Sequence, residues 1–433
     1  MNKTTVIISS PVDTYSGYGA RSRDFISALI KERPEWDVRL LSQRWGNTRF
    51  NYLKDHNDTE LGKLIIQGVK QKPDVWIQIT VPNEFQRIGS FNIGVTAGIE
   101  TTVCDPSWLE GVNRMDLTLT SANHGKTVFS ANTFDKMNDQ KQKVGEVKLE
   151  KPIEVLFEGV KLDKYKRVAL SSTSELVSSL DSIKESFCFL AVGHWLQGDF
   201  KQDRKNIGGT IERFLVAFKN KHVKPALILK TQAANSSIMD KSTILKKIDD
   251  IRKAVGKENL PNIYLLHGEL SDEEVNMLYN HSKVKAMVSL TKGEGFGRPL
   301  LEFTTTGKPI IASAWSGHTD FLRQDLNLLV GGKLEDVHSS AIIKNMILDS
   351  SKWFTPDENQ SVTAYREVYK HYKKAVLNGK KQAAVTKKYF SFDAMQAELG
   401  SILTKYTPKF VKQVDLKLPQ PKSIGLTNKI KLG

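Results

Sequence analysis

Residues Gly293 to Ser313 read GEGFGRPLLEFTTTGKPIIAS, a glycine-rich turn bracketed by two glutamates and opening a helix. The apolar run just before it, VKAMVSL (Val284 to Leu290), has the composition of a strand buried on both faces of a parallel sheet. Gly295 and Gly297 allow a sharp reversal and a close approach of backbone to ligand. Pro299 suits the first helical turn, where its missing N–H is no loss. The free N–H groups of that turn and the positive end of the helix dipole make an anion site. Glu294 precedes the turn, on what reads as the open side of a pocket, and Glu302 follows about one helical turn inside. A phosphate site with a hydroxyl acceptor on either side is what a sugar nucleotide requires.

The same alternation of apolar run and helical pattern continues in both directions. Upstream of the turn come the strand candidates FCFLAVG, KPALILKT and NIYLLHG. They are separated by helical patterns at Ile207 to Phe218 and Thr243 to Val255. Ser271 and Glu274 form a capping box that opens the helix SDEEVNMLYNH. The first half repeats the theme through TVIISS, DVRLLS, PDVWIQIT, FNIGVTAG, MDLTLTSA and IEVLFEG. This predicts two α/β domains, each around a mostly parallel sheet, facing a central cleft. The serine-rich stretch Ser171 to Ser182 reads as the hinge, giving domains over 1–180 and 181–388.

The length of 433 residues suits two cores, and no run of 18 apolar residues suggests a membrane span. With Cys104 and Cys188 far apart and no secretory leader pattern, a reducing cytoplasm is the expected location. The formal charge of +15 is concentrated late, at Arg366, Lys370, Lys373, Lys374, Lys380, Lys381, Lys387 and Lys388, and in a lysine-rich stretch over 408–433. Such a balance favours a polyanionic partner, either nucleic acid or an anionic membrane surface, against the plain alternative of a solvated basic helix.

The turn resembles the E-x7-E signature of retaining GT-B glycosyltransferases of family four, on Glu294, Gly295, Phe296, Gly297 and Glu302. The resemblance implies two Rossmann-like domains, a nucleotide-sugar donor, and no cofactor or metal. It implies that Glu294 contacts the donor sugar, that the turn holds the diphosphate, and that Glu302 takes the ribose. GHWLQGDFKQDRKNIGG is similar to the segment of that family ending in R-K-N, so Arg204 and Lys205 would neutralise the diphosphate. His194 stands where relatives often carry arginine, and Lys230 is the candidate replacement cation. GIETTVCDPSW resembles a cleft-facing stretch, where Glu100 would stand at a position often held by a sugar-contacting histidine. Gly17 and Gly19, in SGYGARS, would line the cleft beside the phosphates, with Arg21 opening the next helix, and His318 would flank the donor. YFSFDAMQAELGSILTKY is similar to the closing element of the family, a helix over 389–407 that crosses back to the first domain.

Other patterns fail. G-x-G at Gly17 lacks the third glycine of a dinucleotide fingerprint, and HGKT at His124 lacks the early glycine of a triphosphate loop. There is no D-x-D and no His/Cys cluster with metal-ligand spacing. Compact, basic enzymes of this kind look similar to bacteriophage glycosyltransferases acting on hydroxymethylated DNA bases. The expected acceptor is therefore such a base in double-stranded DNA. A saccharide or glycolipid at an anionic membrane is the alternative, and an inactive GT-B module that binds nucleic acid is the alternative of another class.

Overall fold

The computed structural model describes residues 3–170, 174–195, 197–232, 237–256 and 259–410. The first domain is built on a parallel sheet of β1 (Thr5–Ser10), β2 (Asp37–Ser42), β3 (Val75–Ile79), β4 (Phe91–Thr96), β5 (Leu117–Thr120) and β8 (Ile153–Val155). Its order is β2-β1-β3-β4-β5-β8, with an exposed antiparallel hairpin, β6 (Thr133–Met137) and β7 (Lys143–Lys148), inserted before the last strand. The second sheet contains β9 (Cys188–Val192), β10 (Ala226–Lys230), β11 (Ile263–Leu266), β12 (Val284–Ser289), β13 (Ile310–Ser313) and β14 (Leu328–Val330). It runs β11-β10-β9-β12-β13-β14, all parallel. The order reverses between β9 and β12, so the loops leaving these two strands turn apart and open a crevice at their carboxyl ends. A second hairpin, β15 (Gly332–Asp336) with β16 (Lys352–Pro356), follows.

Five helices matter for the site: α1 (Gly17–Glu32), α2 (Ile207–Phe218), α3 (Arg298–Thr304), α4 (Tyr372–Tyr389) and α5 (Phe392–Tyr406). α1 starts at Ser16, whose hydroxyl accepts from Gly19 N–H, and buries Phe25, Ile26, Ala28 and Leu29. α5 starts the same way at Ser391 and sends Met395, Leu399, Ile402 and Leu403 into the first domain's core, although the chain reaches it from the second. The two segments that cross between domains also pair: Val160 N–H donates to Phe390 O and Phe392 N–H to Val160 O. Gly159 makes that crossing possible, since a Cβ there would lie 2.6 Å from Phe392 Cα.

Two expectations need correction, and a third falls mainly outside the described residues. Within the serine-rich hinge candidate, Glu175–Asp181 is a helix whose Leu176 and Leu180 pack into the second domain; 171–173 lie outside the described residues. Arg21 does not open α1 toward a ligand: its guanidinium is buried and donates to the carbonyls of Leu156 and Phe157. The lysine-rich stretch over 408–433 lies almost wholly outside the described residues.

Candidate active site

At the end of β12 the chain turns through Gly293–Gly297 into α3. Gly297 has φ of 93°, which only glycine adopts without strain, and Pro299 occupies the first helical turn. Neighbours hold the turn tightly. A Cβ on Gly317 would meet Gly295 O at 2.2 Å, and one on Gly295 would meet Ala97 O, from the loop after β4, at 2.9 Å. The N–H groups of Gly295, Phe296 and Gly297 find no acceptor among the described residues. They are free for an anion.

Glu294 is not on an open side. It is buried, its N–H donates to Ser316 Oγ, and its carboxylate takes both contacts of Lys205 Nζ at 2.6 and 2.7 Å. Arg204, in the loop between β9 and α2, donates to Gly293 O at 2.9 Å and pairs with Glu100 at 3.1 Å and Glu294 at 3.6 Å. Two cations and two carboxylates thus form one network, with Glu100 supplied by the first domain. Burial pushes Glu294 upward, but Lys205 and Arg204 outweigh it and hold the carboxyl below its ordinary range. Burial pulls Lys205 below its ordinary range in spite of Glu294. For Arg204 burial is overcome by Glu100 and Glu294, and the guanidinium is held above its usual value.

Beside this network lies a cavity of about 470 Å³, lined by Gly193, His194, Lys205, Lys230, Thr231, Gln232, Pro299 and Glu302, with Tyr15 and His56 from the first domain opposite. Lys230 Nζ donates to Gly268 O at 2.6 Å, and burial lowers its pKa. Thr231 Oγ1 and Gln232 Oε1 are buried and find no partner among the described residues. Glu302 accepts from Arg298 Nε at 2.9 Å, and burial pushes its carboxyl up to about 7 against the pull of Arg298.

Lys205, Lys230 and Glu302 therefore line the cavity, and Arg204, Glu100 and Glu294 join it through Lys205. The other candidates stand apart. Phe296 contributes its backbone to the turn, but its ring is core, 5.0 Å from Phe321. His318 is buried beneath the turn with Nε2 on Ser313 O at 2.6 Å. Gly17 and Gly19 begin α1; Gly19 lets the helix pack on Thr14 O, and neither lines the cavity. Sequence reasoning missed Tyr15, Tyr165, Thr231 and Gln232, and it missed Arg298, a cation on the first residue of a helix. That last placement opposes the helix dipole and was itself a signal that carboxylates must stand nearby.

The paired-sheet fold matches solved structures over nearly the whole chain. The Anabaena protein HepE, in complex with UDP and glucose, superposes with a TM-score of 0.63 at 14% identity, covering 93% of this chain and 100% of its own. The fold is GT-B. Sucrose-phosphate synthase from Thermosynechococcus elongatus shares this GT-B frame with a TM-score of 0.61 at 14% identity, covering 93% and 99%. A trehalose-6-phosphate structure from E. coli, bound with UDP-2-fluoro glucose, gives 0.57 at 12% identity, covering 94% and 100%. At such identities the likeness is one of fold. Within the GT-B frame, residues 246–352 match the family described as Glycosyl transferases group 1, a span that includes the turn and Glu302. No curated protein sequence matches the chain.

Proposed function

We propose that this chain transfers a glycosyl group from a nucleoside-diphosphate sugar to an acceptor hydroxyl, with retention of configuration. One observation carries the reading: Lys205, Lys230 and the Glu302 carboxylate line a single cavity at the sheet's switch point, and the turn whose N–H groups find no acceptor among the described residues leads directly into Pro299, which lines it too. The cations and amides stabilise the charge that gathers on the departing diphosphate. Glu302 accepts from the nucleoside's ribose hydroxyls and Glu294 positions the sugar. The leaving phosphate takes the acceptor's proton, so no side chain is assigned as general base. The HepE complexes with UDP and UDP-glucose support a uridine-type donor. The proposal includes transfer without a metal or cofactor, the named cations and amides carrying the charge of the diphosphate.

For the acceptor, the observation favouring a hydroxymethylated base in duplex DNA is α4, which exposes Lys373, Lys374, Lys380, Lys381, Lys387 and Lys388 and contains no acidic residue. This helix packs Gly379 against Gly307, at the far end of α3 from the turn, so DNA would be gripped behind the donor site as well as at the cleft. A saccharide or lipid-linked acceptor is the second reading, with the same lysines resting on an anionic leaflet. Among the described residues no helix is long and apolar enough to cross a membrane. Nucleotide release from a panel of UDP- and GDP-sugars tests the proposal. Release stimulated by hydroxymethylcytosine DNA supports both halves, and release indifferent to DNA moves the acceptor to saccharide or lipid. Silence with every donor points instead to an inactive module that binds nucleic acid.

Two further outcomes follow from the charges. Arg204 is held by Glu100 at 3.1 Å, so an arriving diphosphate must compete with that carboxylate. Glu100→Gln is expected to tighten UDP-glucose binding about two- to fivefold, the scale of one partly exposed ion pair, as titration calorimetry would show. Glu302 titrates at about 7, and its ionised form is the better hydroxyl acceptor. Affinity for UDP-glucose, whose own phosphates stay ionised in this range, is expected to rise about tenfold between pH 6 and pH 8. Glu302→Gln should bind weakly and without that dependence. The fold responds in the opposite sense: a carboxyl raised by burial stabilises when protonated, a contribution full below its ordinary value of 4.5 and lost as pH rises through about 7.

A further inference from the structure

The first residue of α3 is a partly buried cation at the positive end of a helix, a place where the dipole disfavours it. Its partners explain why it is there. Arg298 Nε donates to Glu302 Oε1 at 2.9 Å, while a different nitrogen, Nη1, donates to Asp24 Oδ2 at 2.6 Å. Asp24 belongs to α1, on the opposite domain, and is 5% exposed. Its other oxygen is taken by Lys161 at 2.6 Å, and Glu158 stands 3.8 Å from Arg298. Asp24 does not line the donor cavity, whereas Glu302 does.

We infer that Arg298, anchored by Asp24 across the cleft, is a positioning residue that aims the Glu302 carboxylate into the donor cavity only when the two domains are closed. A guanidinium is a planar, rigid fork, so fixing one arm on Asp24 fixes the direction of the other. Opening the cleft carries α1 away from α3. It leaves Arg298 without its anchor and Asp24 with Lys161 alone. Glu302 then keeps its bonds to Tyr165 and Tyr279 of the second domain but loses the direction that Arg298 imposes on it. By linkage, a ligand that bonds Glu302 favours the closed state, and any substitution that weakens closure weakens that ligand. Burial pushes Asp24 upward, but Arg298 and Lys161 outweigh it and hold it below the ordinary carboxylate range, so the anchor is ionised near neutrality. The inference rests on the donor site proposed above.

The test is a double-mutant cycle on the full chain with UDP as probe, read by titration calorimetry and by small-angle scattering. Asp24→Asn touches no cavity wall, yet is expected to weaken UDP about tenfold and to reduce the compaction that UDP induces in the native chain. Arg298→Lys keeps the charge, so it satisfies any purely structural need for a cation. A lysine cannot bond both carboxylates from separate arms, and the same loss is expected. The double variant should bind no worse than either single one, because the pair acts as a unit. Single variants within twofold of the native affinity overturn the inference, as do losses that multiply or an unaltered compaction. A native chain that binds neither UDP nor any nucleotide sugar overturns the donor site itself, and this inference with it.

Discussion

Lys205→Ala is expected to lower kcat by about 10² to 10³, the loss typical of removing one preorganised group that faces developing charge. The effect has two physical parts. The ammonium lines the cavity proposed to take the diphosphate, so on that proposal its removal leaves the departing charge less compensated. The same ammonium holds Glu294 by two contacts of 2.6 and 2.7 Å, and Glu294 is 8% exposed. Stripping one partner from such a pair leaves a buried carboxylate unmatched except by Arg204, at a cost of about 3–5 kcal/mol in stability. The acid-side behaviour should change as well. Glu294 sits below its ordinary range in the native protein, so its contribution is present above pH 4.5 and lost as pH falls through its folded value. Without Lys205 that loss should begin at higher pH. Single-turnover nucleotide release and thermal melts at pH 5 and 7.5 measure the two parts separately. A variant with native kcat would remove Lys205 from the machinery.

Gly317→Ala is expected to disable donor binding without altering any charged group. The new Cβ would lie 2.2 Å from Gly295 O and 2.8 Å from Glu294 O, and both are backbone atoms of the anion-holding turn. They cannot rotate aside as a flexible side chain could, so the turn must shift. A displacement of that kind misaligns three amide donors at once. Weakening of UDP by more than about tenfold is the expected scale, with a stability loss of about 1–3 kcal/mol from overpacking. Gly17→Ala provides the contrast. A Cβ there meets nothing within 4 Å, so binding and melting temperature should both stay native. Equal behaviour of the two variants would contradict the placement of the turn.

What the sequence revealed was the local part. Glu294, Gly295, Gly297 and Pro299 sit within six residues of one another, and each acts through backbone geometry that neighbours along the chain determine. Apart from β14 (Leu328–Val330), the strands of both sheets were likewise announced by short, largely apolar runs, because a parallel strand covered on both faces has little polar side to alternate with. The two-domain GT-B architecture followed from those runs. The hairpin β6–β7 was not visible: TFDKM and KVGEVK are largely exposed and carry no apolar pattern. Side-chain direction was invisible for a different reason. Phe296 lies inside the motif, and only the packing of Phe321 shows its ring turning into the core. Glu294 was read as open because its partner, Lys205, is 89 residues away in the chain. Asp24 and Arg298 are 274 residues apart, and only one end of that pair, a cation at a helix start, left any trace in the local sequence.

The helix α5 has a bearing on how this protein is made. Its residues Met395, Leu399, Ile402 and Leu403 complete the core of a domain whose strands begin at Thr5. As the chain emerges from the ribosome, the first of these two domains must wait, with that apolar face uncovered, until synthesis has passed Leu403. The second domain also awaits a late segment, which supplies Ala364, Tyr365 and Val368 to its core, but that segment precedes α5. The domain translated first is therefore the one finished last, and a message truncated before Phe392 would leave it exposed to aggregation.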